Sequence, residues 1–148
     1  MAELEYACVS EAHPERVEGS TPSRGTRVKN MTLLEYKNLI EENPIAFATI
    51  TEDNKPNVIG TAFAKIVSEN EILLTDNYMS QTIIDILQNN NVCLTVWDKN
   101  LKGVKIIGTA EYFTTGKWKN FVENIIENKG LPAKGAILIE VSQIIPSK

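Results

Sequence analysis

One stretch of the chain places several phosphate-binding groups close together. Residues 73–82 read as an apolar strand that passes through Thr75-Asp76-Asn77 into a helix beginning at Ser80-Gln81-Thr82. A helix start carries free backbone N–H groups and the positive end of the helix dipole, and both favour an anion. The hydroxyls and amides of these residues add further polar contacts. The sequence therefore predicts a phosphate site at this junction.

A second stretch predicts a flat surface beside that site. Ile59-Gly60-Thr61-Ala62 belongs to a predicted strand with hardly any side-chain bulk. A planar ring can approach such a backbone because few side chains hold it away. A phosphate site next to a place for a planar ring indicates flavin mononucleotide (FMN) as the ligand.

The remaining side chains offer little for catalysis. The only histidine, His13, lies in residues 1–30, which excludes a serine or cysteine triad and an imidazole zinc site from the rest of the chain. The sequence has neither a Walker loop nor a Gly-x-Gly-x-x-Gly turn. Asp76 and Asp98 are the nearest carboxylates and read as turn or strand-end residues. We therefore predict no catalytic side chain and no metal ligand, so that redox chemistry requires a cofactor.

Composition narrows the class of protein. The 148 residues are 43% hydrophobic and 23% charged, as expected for one globular core. No apolar run approaches the ~20 residues of a membrane span, and the N-terminus lacks the apolar middle of a secretory peptide. Cys8 and Cys93 read as one exposed and one buried thiol rather than a disulfide. These features predict a cytoplasmic protein that does not enter a membrane.

The first 30 residues differ in composition from the rest. They mix Glu, Ser, Thr, Pro, Gly and Arg without periodicity and are predicted to be a disordered extension. All three arginines lie there, which leaves 11 lysines against 14 acidic residues in the remainder. A specific nucleic-acid binder normally clusters Arg and Lys on one face. We therefore expect one folded domain, residues 31–148, that does not bind nucleic acid.

Periodicity and turn residues divide the predicted domain into short helices and strands. The predicted helices span residues 32–43, 80–89 and 117–128, and the predicted strands span residues 45–51, 57–67, 71–75, 92–97, 104–113 and 136–145. A capping box, Thr32 with Glu35, begins the first helix. The second is expected to bury Ile83, Ile84 and Leu87. Successive hairpins of this kind predict a mainly β fold, an antiparallel barrel with short α-helices.

The order of these elements resembles a known family. Leu73-Leu74-Thr75-Asp76, the helix start Ser80-Gln81-Thr82, the strand Val92-Cys93-Leu94-Thr95-Val96-Trp97 and residues 104–111 are similar in pattern and order to the pyridoxamine-phosphate-oxidase-like FMN-binding split barrels. The resemblance covers about residues 32–145, and the short FMN-binding proteins of that family are nearest in size. It implies a six-stranded antiparallel split barrel of the FMN-binding type.

The resemblance also implies a cofactor, a partner and contact residues. It implies non-covalent FMN at the interface of a homodimer, in a flavoprotein that passes electrons to a small acceptor. The matching positions are Ile59, Gly60, Thr61 and Ala62 for the ring and phosphate, Thr75, Asp76 and Asn77 for the ring edge, and Ser80, Gln81 and Thr82 for the phosphate. In the oxidase branch an Arg-Lys pair stands at the helix start, where this chain has Gln81 and Thr82. A true pyridoxamine-phosphate oxidase is not expected, because residues 31–148 lack arginine and histidine.

Other interpretations of the same residues stay open. Ser80 and Thr82 can be a helix cap and a first-turn residue without a ligand, and Gly60 and Gly108 can mark bulges. Lys65 and Lys105 could supply charge to a phosphate. A non-catalytic, stress-associated binding dimer with weak or no flavin is one alternative function. A related cofactor is another, either a deazaflavin or haem, although haem lacks a histidine ligand in residues 31–148.

Overall fold

A computed structural model describes residues 32–147. The predicted disordered extension, residues 1–30, lies outside the described residues. The strands are β1 (Ile45–Ile50), β2 (Pro56–Thr61), β3 (Lys65–Ser68), β4 (Glu71–Asp76), β5 (Asn91–Trp97), β6 (Gly103–Phe113) and β7 (Gly135–Pro146). The helices are α1 (Lys37–Glu42), α2 (Gln81–Gln88) and α3 (Lys117–Asn124), with 3₁₀ turns at Leu33–Tyr36 and Ile126–Asn128.

The strands form one antiparallel sheet in the order β2-β1-β5-β6-β7-β4-β3. The two longest strands, β6 and β7, pair along most of their length and join the two halves of the sheet. Alternate strand residues supply the core, which includes the fully buried side chains of Phe47, Leu74, Ile137 and Ile139. The mainly β, antiparallel split-barrel class predicted from the sequence is confirmed, with seven strands rather than six.

The additional strand comes from a segment that the sequence predicts as one strand, residues 57–67. In the structure β2 pairs with β1, whereas β3 pairs with β4 at the other end of the strand order. Residues 62–64 connect the two, and Ala64 is buried there. The prediction was wrong because an apolar pattern indicates an extended backbone but does not indicate which neighbour it pairs with.

Helix α2 buries a different face from the predicted one. Ile84 and Leu87 are 50% and 69% exposed, and Ile83 is only partly buried. The fully buried residues are instead Thr82, Asp85 and Ile86. Two of these are polar, and each has a hydrogen-bond partner on the sheet, which compensates for its removal from water.

The other two helices are shorter than predicted. Helix α3 ends at Asn124 because Ile125 adopts an extended backbone, and a 3₁₀ turn follows. The first predicted helix divides into a 3₁₀ turn and α1, and Thr32 makes no side-chain capping bond. None of the helices described between residues 32 and 147 is long and apolar enough to cross a membrane.

Candidate functional site

A cleft of about 470 Å³ opens between β2, the end of β4 and the start of α2. Nine of the ten residues predicted as contacts line it. Ile59, Gly60, Thr61 and Ala62 come from β2 and the residue after it, Thr75 and Asn77 from the end of β4, and Ser80, Gln81 and Thr82 from the start of α2. The sequence therefore identifies residues that the fold brings to one place.

The tenth predicted contact, Asp76, does not line the cleft. It is 1% exposed, and its carboxylate accepts hydrogen bonds from the Tyr112 hydroxyl at 2.7 Å and the Met79 backbone N–H at 2.9 Å. Burial of Tyr112 and its bond to Asp76 raise the pKa of the phenol to about 12. Lys134 lies 3.7 Å from the same carboxylate. Asp76 thus holds the loop that leads from β4 to α2, and this role agrees with the turn-residue interpretation.

Asn77 holds residues 128–133 against the cleft by hydrogen bonds. It exchanges side-chain hydrogen bonds with Asn128, at 2.7 and 3.2 Å, and its oxygen accepts the Ala133 backbone N–H at 2.8 Å. The segment between these two partners brings Leu131 to the cleft, beside Tyr78 and Met79. These three lining residues were not among the contacts predicted from the sequence. Leu131 stands alone between Gly130 and Pro132, so no periodic pattern could have identified it.

The floor of the cleft includes an unobstructed piece of β2. A Cβ atom added at Gly60 would meet no heavy atom within 4 Å, and Gly60 is exposed. On the same strand a second recess of about 350 Å³ begins, with an apolar lining that includes Val58 and Trp97. Gly108 is different, because a Cβ there would lie 2.3 Å from the Glu140 carbonyl oxygen at a register shift. Gly108 therefore marks a bulge, as one interpretation predicted, whereas Gly60 leaves open space.

The start of α2 presents unused hydrogen-bond donors to the cleft. The first backbone bonds of the helix run from Ile83 and Ile84 to the Ser80 carbonyl. Within residues 32–147 the N–H groups of Gln81 and Thr82 have no protein acceptor, as is normal for the first helical residues. Ser80 makes no side-chain capping bond, so its hydroxyl is also available. These groups form a neutral set of donors for an anion or another acceptor.

A buried polar cluster supports this helix start from behind. The Asp85 carboxylate accepts hydrogen bonds from the Thr49 hydroxyl and the Gln81 side-chain amide, both at 2.7 Å. The Asn57 amide donates to the hydroxyl oxygens of Thr49 at 3.1 Å and of Thr82 at 3.2 Å. The cluster joins β1 and β2 to both cleft residues of α2, which fixes the helix start against the sheet.

The residues that line the cleft carry no formal charge. Lys65, considered from the sequence as a source of positive charge, is 3.0 Å from Glu127 in an ion pair. Lys134 lies beside the cleft, because its ammonium group donates to the carbonyl oxygen of the lining residue Met79 at 2.9 Å. Asp76 beside it offsets part of that charge. A phosphate in this cleft would therefore depend mainly on neutral donors.

The fold and the cleft describe a split-barrel protein in which free N–H donors at a helix start lie beside a strand with little side-chain bulk. A family model described as pyridoxamine 5'-phosphate oxidase matches residues 34–147. An uncharacterized protein of Methanocaldococcus jannaschii is 32% identical over 108 residues, 70% of this chain and 72% of that protein. The chain belongs to the pyridoxamine 5'-phosphate oxidase family, which confirms the predicted resemblance.

Solved structures agree with this assignment. HupZ of Group A Streptococcus gives a TM-score of 0.71 at 25% identity, over 78% of this chain and 94% of HupZ. An FMN-binding protein from Syntrophomonas wolfei gives a TM-score of 0.65 at 15% identity, over 78% of this chain and 86% of that one. At that identity the second likeness concerns the fold alone.

Proposed function

We propose that this protein is a cytoplasmic flavoprotein that binds FMN non-covalently in the cleft and passes electrons to a small acceptor. The main support for this proposal is that the cleft combines two features, one suited to a phosphate and one suited to a flat ring. Unused donors at the start of α2 suit a phosphate, and the open backbone at Gly60 suits a flat ring. The FMN-binding protein of Syntrophomonas wolfei, which has the same fold, supports the choice of ligand.

The residues present fit the two ends of FMN. The backbone N–H groups of Gln81 and Thr82, with the Ser80 hydroxyl, would hold the phosphate. The backbone around Gly60 would receive the ring, because no side chain fills the space where its Cβ would be. When bound, FMN supplies hydride transfer through its N5 atom, and the protein positions the ring and restricts access of water.

Oxidation of pyridoxamine phosphate is not part of the proposal, although the family carries that name. Residues 31–148 contain no arginine and no histidine, so this part of the chain lacks the bidentate side chain best suited to a second phosphate. The cleft lining, which carries no formal charge, gives no substitute. The electron acceptor is therefore expected to be a different small molecule.

A homodimer is also part of the proposal. The family resemblance implies a cofactor at a dimer interface, and a cleft beside an exposed edge strand suits that arrangement. Strand β2 forms one edge of the sheet and pairs only with β1 among the described strands. Val58 on β2 and Trp97 on β5 are both substantially exposed beside it. A second copy would cover these side chains, which would otherwise form an apolar patch in water.

The absence of charge in the lining favours one alternative. A binding module that takes a neutral ligand, with weak or no affinity for FMN, would need donors but no cation. The fully buried Asp85 carboxylate behind the helix start is consistent with this, because its hydrogen-bond partners among residues 32–147 are the neutral side chains of Thr49 and Gln81. Affinity for the phosphate distinguishes the two functions.

The direct test is a titration of ligand-free protein with FMN and with riboflavin, which lacks the phosphate, followed by flavin fluorescence. We expect micromolar or tighter FMN binding and riboflavin binding at least tenfold weaker, since several hydrogen bonds to the phosphate would be lost, each worth about 0.5–1.5 kcal/mol. Equal affinities would support the neutral-ligand module. No uptake of FMN at micromolar concentrations would contradict the proposed flavoprotein.

A further inference from the structure

The buried Asp85 determines the direction of every hydrogen bond in its cluster. A carboxylate offers no hydrogen, so both of its neighbours must donate to it. Thr49 has a single hydroxyl hydrogen and uses it on Asp85 at 2.7 Å. Its oxygen can then only accept, and it accepts from the Asn57 amide at 3.1 Å. Hydrogen-bond donation therefore runs in one direction, from Asn57 to Thr49 and from Thr49 to Asp85.

The Asn57 amide links this set of hydrogen bonds to the cleft. The Asn57 side-chain nitrogen also donates to the Thr82 hydroxyl oxygen, at 3.2 Å. Thr82 thus serves Asn57 as an acceptor, and its own hydroxyl hydrogen has no protein acceptor within residues 32–147. Thr82 is 2% exposed and lines the cleft. The Thr82 hydroxyl, whose oxygen accepts from Asn57, can therefore donate its hydrogen to a ligand in the cleft.

We propose that the Asp85–Thr49–Asn57 chain is a positioning device that commits the Thr82 hydroxyl to donate to an acceptor oxygen of the ligand. This inference rests on the proposed function, in which that oxygen belongs to the FMN phosphate. It identifies Asp85 and Asn57 as specificity-determining residues that do not touch the ligand. The device provides a directed donor in a cleft whose lining carries no cation.

Two substitutions together reverse the direction of donation in these hydrogen bonds. In the double variant Asn57→Asp, Asp85→Asn, the new carboxylate at position 57 accepts from both Thr49 and Thr82. The new amide at position 85 donates to the Thr49 oxygen and accepts from Gln81. Every buried group keeps a partner, and the number of charges and the side-chain shapes are unchanged. The direction of the hydrogen bonds is reversed and the negative charge moves from position 85 to position 57, so that Thr82 donates its hydrogen within the protein. The effect of Thr82 substitutions is therefore compared within each background.

The first experiment tests the direction without any ligand. Asn57→Asp leaves Thr49 between two acceptors, so we expect it to lower the melting temperature by several degrees. Asp85→Asn alone can turn its amide oxygen toward Thr49 and its amide nitrogen toward the side chain of Gln81, and should cost less. The double variant should recover most of that loss, because its chain is again satisfied. Additive losses in the double variant would overturn the assigned polarity, whether or not FMN binds.

The second experiment measures what the direction does for binding. Thr82→Val should weaken FMN binding about tenfold in the wild-type background and less than about threefold in the reversed background, where the hydroxyl no longer donates to the ligand. Riboflavin affinity should change little in either background, and Thr82→Ser, which keeps the hydroxyl, is the matched control. Equal losses of FMN affinity in the two backgrounds would overturn the inference and leave the proposed function intact.

Failure of the proposed function has a different signature. If the wild-type protein takes up no FMN, the phosphate role of Thr82 is overturned together with that function. Recovery of stability in the double variant would then still establish the directed chain around Asp85, whereas additive losses would reject that as well.

Discussion

Substitution of Gly60 by valine separates the fold from the site, because the structure predicts opposite effects on the two. A Cβ at this position meets no heavy atom within 4 Å, so the larger side chain meets no steric obstacle in the free protein. Glycine in a strand costs roughly 0.5–1 kcal/mol through its conformational freedom. Removal of that cost should raise the melting temperature by about 2–4 °C.

The same substitution should weaken FMN binding severely. A ring in van der Waals contact with the backbone lies about 3.5–4 Å from it, and a new side chain would occupy that space. Displacement of the ring from β2 should cost well over 1.4 kcal/mol, which corresponds to more than about tenfold in affinity. Thermal melting followed by fluorescence titration with FMN measures both effects on one preparation.

Gly108→Ala is the matched control. Its Cβ would lie 2.3 Å from the Glu140 carbonyl oxygen, so the backbone has to shift. We expect this variant to lose about 1–3 kcal/mol of stability but to bind FMN normally while it is folded, because Gly108 does not line the cleft. Wild-type FMN affinity in Gly60→Val would refute the placement of the ring against β2.

Three further outcomes are expected. Ser80→Ala should change the unfolding free energy by less than about 0.5 kcal/mol, since Ser80 makes no capping bond, yet weaken FMN binding about two- to tenfold in a titration; a drop in stability equal to a lost cap would contradict this. Because the pKa of Tyr112 rises from 10.0 to about 12 on folding, wild-type stability should fall more steeply than that of Tyr112→Phe as the pH increases from 10 to 12; parallel curves by chemical denaturation would exclude that pKa shift. Light scattering should give twice the 16.5 kDa chain mass, and a single-chain mass at micromolar concentration would argue against the homodimer.

The cleft could be predicted from the sequence because its main components are local. A strand that passes through polar residues into a helix start is visible in one ten-residue stretch, and small residues mark a bare strand. Whether the Asp76 side chain faces the cleft is not determined by neighbouring residues in the sequence. Its direction depends on Tyr112, a hydrogen-bond partner 36 residues away on β6.

The buried face of α2 could not be predicted for the same physical reason. The apolar residues between positions 80 and 89 predict a buried face that includes Ile84 and Leu87, but both are exposed in the structure. Thr49 and Asn57, on β1 and β2, offer partners that make it favourable to bury Asp85 and Thr82 instead. A polar network assembled from three elements leaves no periodic signal in any of them.

FMN binding is tested most directly by mass spectrometry of the small molecule released when freshly purified, unreconstituted protein is denatured. We expect a mass equal to that of FMN, from a protein that is yellow before denaturation. A colourless protein that releases no flavin and takes up none at micromolar concentrations, or one that releases a different cofactor, would contradict it.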